Sequence, residues 1–388
     1  MFKLSEHPWH FKISYYLVFI IVLLRQVRTL MAPFLGSELA YTFRSDNFFS
    51  FSGGQIRRGL IGEKLILLQE WGFDAVFFYS LLLLVFFSFC YLVVFPRLLQ
   101  SFKVQEAYLI LLSGFFLLPG IDREIFMLIP ALYYYLSHKN DFLFYFLLGI
   151  SAFIHELTLL LYFPFIWILI QDFWRIRKWQ PLFYFVMVMA CFAVVIGLKS
   201  ELNLIPEREF WPQHGVEGLE DHFLYGFAGK GLMATLKLHG SVILGKVETL
   251  YALPGLAAFF VLLALTLKHF GAAAISLYYY IAINVLLFLL TIDYGRYFYL
   301  LFFFYLIISQ SGLLAIADRS LRSFRFLMPK FVEGWLSFKF NHTWYQIALL
   351  IFVIAPFGYW LGDTLLKPAL WQELEQLIDF HLPKYAGE

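Results

Sequence analysis

Four small groups of ionisable residues stand at the edges of long apolar runs: Arg57-Arg58, Asp122-Arg123-Glu124, His155-Glu156 and Asp293-Tyr294-Gly295-Arg296. Ionisable side chains at membrane depth are costly, so they are functional-site candidates by default. Arg57 and Arg58 follow Gly53-Gly54 and precede Gly59. Adjacent guanidiniums in such a loop suit a diphosphate, because each presents a planar donor fork. The plainer alternative is a headgroup anchor, although outer loops usually avoid paired arginines. Around Arg123, Pro119-Gly120 breaks one run and the carboxylates Asp122 and Glu124 open the next, where a helix N-terminus favours them. A capped helix with a local ion pair accounts for Asp122 in full and for Arg123 less well. All three are candidate substrate contacts.

His155 beside Glu156 suits a general base with its partner, or a phosphate ligand. A lone interfacial histidine is more often structural, and the adjacent carboxylate weighs against that. No second histidine stands four residues after His155, which excludes a zincin-type metal site. Asp293 and Arg296 are three residues apart and either satisfy each other at a helix end or contact substrate. Asp293 is a second candidate base and Arg296 a further phosphate contact. Arg25 and Arg28, on one helix face, either snorkel outward or add positive charge to the same region. His214, Asp221 and His222 read as polar residues of an ordered loop. There is no Gly-rich nucleotide loop, serine nucleophile elbow or Cys/His metal pattern, so no cofactor and no metal are expected.

These residues need a scaffold, and composition says which kind. Apolar residues make up 61% of the 388-residue chain and charged residues only 14%, with a mean hydropathy of +0.74. A soluble domain carries about a quarter charged residues. The expected fold is all-α, a single polytopic transmembrane domain over residues 1–388. Candidate spans are 13–33, 75–96, 107–120, 124–137, 142–156, 157–173, 181–198, 249–267, 271–291, 297–316 and 344–366, eleven in all. The first is expected to be a retained span rather than a cleaved signal. Cys90 and Cys191 read as packing residues. A net charge of +2 with no basic block argues for no nucleic-acid partner. Most of the 48 Phe, 24 Tyr and 10 Trp are packing, lipid-facing and interfacial belt residues.

Dense positive charge lies at Arg97/Lys103, Lys139, Arg175/Arg177/Lys178, Lys268 and Arg319/Arg322/Arg325/Lys330. The positive-inside rule makes those loops and the N-terminus cytoplasmic. All four ionisable groups then fall on the opposite, outer side. So do two long loops, 36–74 and 199–247, the first with an amphipathic helix expected over Leu60–Trp71. The four middle spans have only 14 to 17 residues, and short, broken spans are tolerated where they line a water-filled cavity. The block predicts a vestibule floored by charge.

The stretch from Gly120 to Pro164 carries Asp122-Arg123-Glu124-Ile125-Phe126, an inner turn Ser137-His138-Lys139-Asn140, and Phe153-Ile154-His155-Glu156-Leu157-Thr158. It resembles the bacterial O-antigen polymerase families, Wzy-type and the related EpsG-like polysaccharide polymerases. In those families an Arg opens a short helix, and a His followed closely by Ser or Thr closes the next. Arg123 and His155 are the positions that correspond. Glu124 stands where the EpsG-like pattern usually has Gln, and a Glu directly follows the His. The resemblance implies an inverting transfer of glycan between polyprenyl-diphosphate carriers at the outer face of a bacterial inner membrane, feeding O-antigen or lipopolysaccharide synthesis. It also implies an undecaprenyl-diphosphate-linked oligosaccharide, membrane lipid and a chain-length regulator as partners. The expected activity is a metal-independent glycosyltransferase. Arg57, Arg58, Arg123 and Arg296 would neutralise the leaving diphosphate, and His155 with Glu156, or Asp293, would deprotonate the acceptor. An alternative is a GT-C-type transferase using a polyprenyl-monophosphate sugar, with Asp46 as the catalytic carboxylate. A third is a transporter of lipid-linked glycans, against which stands the clustering of charge at one interface with no inverted repeat.

Overall fold

In the computed structural model, the described residues are 7–31, 59–117, 123–154, 157–197, 213, 248–290 and 294–354. Among them the regular structure is helical throughout, with no strand. The helices are α1 (Trp9–Met31), α2 (Gly59–Glu70), α3 (Ala75–Phe89), α4 (Phe95–Leu99), α5 (Val104–Leu112), α6 (Ile129–Ser137), α7 (Phe142–Ile154), α8 (Leu157–Ile176), α9 (Trp179–Gly197), α10 (Glu248–His269), α11 (Ala274–Leu290), α12 (Tyr294–Ser311), α13 (Leu313–Leu321), α14 (Lys330–Leu336) and α15 (His342–Ile354). A π-helical turn, Cys90–Val94, joins α3 to α4, and 3-10 turns Arg123–Leu128 and Arg322–Leu327 precede α6 and α14.

Among the described residues, three helical stretches are long and apolar enough to cross a membrane: Trp9–Arg28, Phe77–Leu99 and Thr158–Ile176. A fourth is gained if Phe298–Ser311 and Leu313–Leu327, bent by 91° at their junction, count as one span. Six further apolar helices have 10 to 17 residues. Of the expected short middle block, α5, α6 and α7 are short, whereas the expected span 157–173 is the 20-residue α8, and the expected helix over 60–71 appears as α2 over 59–70.

The core is organised around α12. From Phe298 to Ile308 every residue is buried, so this helix is covered on all sides rather than along one stripe. It packs against α4, α6, α10 and α13. Gly149 marks the tightest approach elsewhere: a Cβ built there would stand 3.1 Å from Cys191 Sγ, and α7 lies against α9 at that point.

Two irregular segments are explained by their hydrogen bonds. In the π-helical turn the Phe95 N–H reaches back to the Cys90 carbonyl. The same register would pair the Tyr91 carbonyl with residue 96, which is Pro96 and has no N–H. The Tyr15 hydroxyl of α1 donates to that carbonyl instead. The second segment follows α5. The sequence predicts a span to residue 120, but α5 ends at Leu112 and a turn occupies 113–117, with Gly114 at φ +82°. A left-handed glycine ends a helix readily because it has no Cβ to clash. The carbonyls of this turn are taken up from distant chain: Tyr91 Oη donates to Phe116 O at 2.8 Å, and Arg25 Nη2 donates to Leu117 O at 2.9 Å.

Two other expectations are revised. The basic stretch after residue 316 was expected to be a loop, yet it holds α13 and α14. In α13, Leu313, Leu314, Ala317 and Leu321 are buried despite the interleaved charges, whereas α14 buries no residue. The last expected span, 344–366, is represented by α15, and 355–366 lie outside the described residues. At the other end of the bundle, Glu106 of α5 is fully buried, accepts the Lys103 N–H and lies 2.6 Å from His342 Nδ1. This pair fastens α5 to the start of α15.

Candidate functional site

Of the expected site residues, only Arg123, Glu124 and Arg296 fall within the described residues. Arg123 and Glu124 are the first two residues of their 3-10 turn, and Arg296 is the third residue of α12. Their backbones are placed, and their side chains lie outside the described residues. Asp46, Arg57, Arg58, Asp122, His155, Glu156 and Asp293 lie outside them altogether. What the structure describes is the framework that borders these positions.

That framework is tightly specified. The Thr158 hydroxyl, one residue into α8, donates to the Ser151 carbonyl of α7 at 3.1 Å. Ser151 lies in the last turn of α7, where carbonyls have no intrahelical partner. The bond therefore ties the start of α8 to the end of α7. Thr158 is fully buried, which holds the bond in one geometry.

Four residues further on, Tyr162 reaches the other junction. Its hydroxyl donates to Met127 O at 3.0 Å and accepts from Ala131 N at 3.2 Å. In a continuous α-helix those two backbone groups would bond each other. The tyrosine hydroxyl is inserted between them where the 3-10 turn passes into α6, beside Pro130. Inserted groups of this kind bend or break a helix. The helix that follows His155 is thereby wired to the helix that follows Arg123.

The remaining elements come close through packing. The 3-10 turn and α6 both lie on α7, and α2, whose first residue follows Arg57-Arg58, packs on α3 and α7. Phe126 meets Phe86 of α3 edge-on with centroids 5.7 Å apart. Phe115, in the turn before Arg123, packs on Tyr299 at 5.5 Å and Phe302 at 4.0 Å, in the first turns of α12 after Arg296. Among the described residues, α2, the 3-10 turn that begins at Arg123 and α6 thus meet on α7, and the 113–117 turn meets α12.

Arg25, half-buried, is held in this framework in a way the sequence left open. Besides its bond to Leu117 O, its guanidinium lies 5.4 Å from the centroid of Phe87. A charged donor on a backbone carbonyl beside an aromatic face serves to fix the turn that leads to Arg123. The sequence signal for Tyr162, Thr158 and Tyr91 was only that hydroxyls in apolar runs need partners; which partner each takes is set by non-local packing. Comparison with family models, curated proteins and solved structures gives no match for this chain.

Proposed function

We propose that the chain is a multi-pass glycosyltransferase of the bacterial inner membrane, with eleven spans and a cytoplasmic N-terminus. It transfers glycan from a polyprenyl-diphosphate donor to a lipid-linked acceptor at the outer face, as a polysaccharide polymerase does. The reading is carried by one observation: Tyr162, seven residues after His155, bonds the backbone four and eight residues after Arg123. This bond ties the helix that begins two residues after His155 to the turn that begins at Arg123, which supports the reading that the two motif positions belong to one site.

Helix length supports a recessed site. The 13 residues of α7 rise about 20 Å at 1.5 Å each, against a hydrocarbon core of about 30 Å. A span of that length starting at the inner boundary ends below the outer one. A polar turn at that depth requires a water-filled cavity. In the proposed reaction the acceptor hydroxyl oxygen bonds to the anomeric carbon as the carbon–oxygen bond to the diphosphate breaks. The base, His155 assisted by Glu156 or else Asp293, takes the hydroxyl proton. The polyprenyl diphosphate leaves with the bonding electron pair and is held by Arg57, Arg58, Arg123 and Arg296, with Asp122 and Glu124 orienting them. Fixed cations at a developing anion serve where a metal would otherwise be used.

The test is reconstitution with a polyprenyl-diphosphate-linked oligosaccharide, followed by electrophoresis of the glycan. A ladder is expected from the wild type and none from Arg123→Ala or His155→Ala, each with normal membrane insertion. Ladders from both variants would remove the catalytic role of this block. Turnover only of a polyprenyl-monophosphate sugar, lost in Asp46→Asn, would replace the polymerase by the GT-C-type alternative.

A further inference from the structure

At the end of α12 the chain changes direction. Gly312, at φ +87°, begins α13 with a 91° bend, so the chain from Leu313 runs across the axis of the core helix. α13 buries Leu313, Leu314, Ala317 and Leu321, and its Arg319 faces Asp172 of α8 at 3.6 Å. Trp167 Nε1 and Gln171 Nε2 of α8 donate to Ser323 Oγ at 3.1 and 3.0 Å, which holds the following 3-10 turn to the body. α14 packs on α11.

The outward side of this segment has an unusual make-up. Phe326 and Trp335 are the two most exposed large apolar side chains among the described residues, at 79% and 82%. Phe331, one helical turn before Trp335, is also exposed. Interleaved with them are Arg322, Arg325, Lys330 and Lys339, all exposed. The one acid in 322–340 is Glu333, which is already paired with Arg325. Four basic residues against one acid leave a net charge of +3 for the segment (4 − 1).

We propose that residues 322–340 form a platform that binds anionic phospholipid headgroups. Phe326, Phe331 and Trp335 enter the acyl boundary, and Arg322, Lys330 and Lys339 meet the phosphodiesters. Exposed aromatic side chains gathered with basic ones are the composition of an interfacial helix, and a site of this kind favours anionic over zwitterionic lipid. The position of the segment fits, since it leaves the buried core helix at a right angle, and a chain doing so at a membrane boundary runs along the headgroups. The proposal depends neither on a glycosyltransferase activity nor on which face of the membrane carries the segment.

The full-length protein in detergent, given equimolar phosphatidylglycerol and phosphatidylcholine, should retain phosphatidylglycerol preferentially in native mass spectrometry. The Arg322→Ala/Lys330→Ala/Lys339→Ala variant should lose that preference, by about fivefold in affinity per charge removed. A charge-matched control, Lys139→Ala/Arg175→Ala/Lys178→Ala, should keep it. In nanodiscs, phosphatidylglycerol with brominated chains should quench a tryptophan component that is missing in Trp335→Phe. Equal lipid preference in the two triple variants would overturn the proposal. So would quenching unchanged by Trp335→Phe, or a dimer in which Trp335 is shielded from the quencher by a second copy.

Discussion

The Thr158 hydroxyl and the Ser151 carbonyl, seven residues apart and on different helices, lie 3.1 Å from each other and tie the start of α8 to the end of α7. Thr158→Val keeps the shape of the side chain and removes the donor. Leaving a buried acceptor unmet costs about 1–3 kcal/mol. The expected outcome is a lower thermal midpoint in detergent together with a loss of glycan transfer larger than the fall in folded protein explains. Wild-type transfer by a destabilised variant would mean that the bond is structural and does not position a base.

Tyr15→Phe tests the other long-range hydroxyl. It leaves the Tyr91 carbonyl, opposite Pro96, without its donor in the core. A destabilisation of about 1–3 kcal/mol is expected, measured as a lower thermal midpoint. Combining it with Pro96→Ala, which restores a backbone N–H, should cost less than the sum of the single changes. Simple additivity would show that the tyrosine does not serve the π-helical turn.

The paired arginines separate two chemistries. If Arg57 and Arg58 grip a diphosphate, Arg58→Lys should be nearly as poor as Arg58→Ala, because lysine lacks the bidentate fork. If they anchor a loop in headgroups, lysine should serve as well. The measurement is the rate of ladder formation, where loss of one oriented charge at a leaving group is expected to cost about 10² to 10³. Full activity of the double lysine variant would discard the diphosphate role.

Orientation is tested by single cysteines in a Cys90→Ala/Cys191→Ala background. A membrane-impermeant maleimide applied from outside should label cysteines placed beside Arg57, Arg123, His155 and Arg296, and not those beside Arg177 and Arg322. Outside labelling next to Arg322 would invert the charge-based topology and remove the argument that the ionisable groups share one face.

The all-helical character of the described residues was legible in the sequence because apolar runs bounded by charges leave few alternatives, and the helix at 59–70 falls where the composition changes. What was not legible depended on partners far along the chain. The early end of α5 is stabilised by Arg25, 92 residues from its acceptor Leu117, and no local pattern announces such a contact. The expected span 297–316 ran on past the bend at Gly312, and the stretch after 316 read as a loop because its charges hide the continuation of α13 through Ala317 and Leu321. The burial of Glu106 was missed for a related reason: a carboxylate three residues into a helix reads as a cap, and His342, which also meets it, lies 236 residues away.

The complete enclosure of α12 bears on how the protein is made. A helix with no lipid-facing side cannot settle when it leaves the ribosome, because one of the neighbours that closes its surroundings, α15, is synthesised later. Phe352 of α15 packs on Phe298 of α12 and on Phe115, so the last described helix completes a contact begun by the fifth. Lipid tails are as apolar as leucine, and fit rather than water exclusion must drive that closure. Maturation therefore waits on α15, and a nascent chain stopped before His342 should stay membrane-inserted yet be open to quality-control proteases along α12.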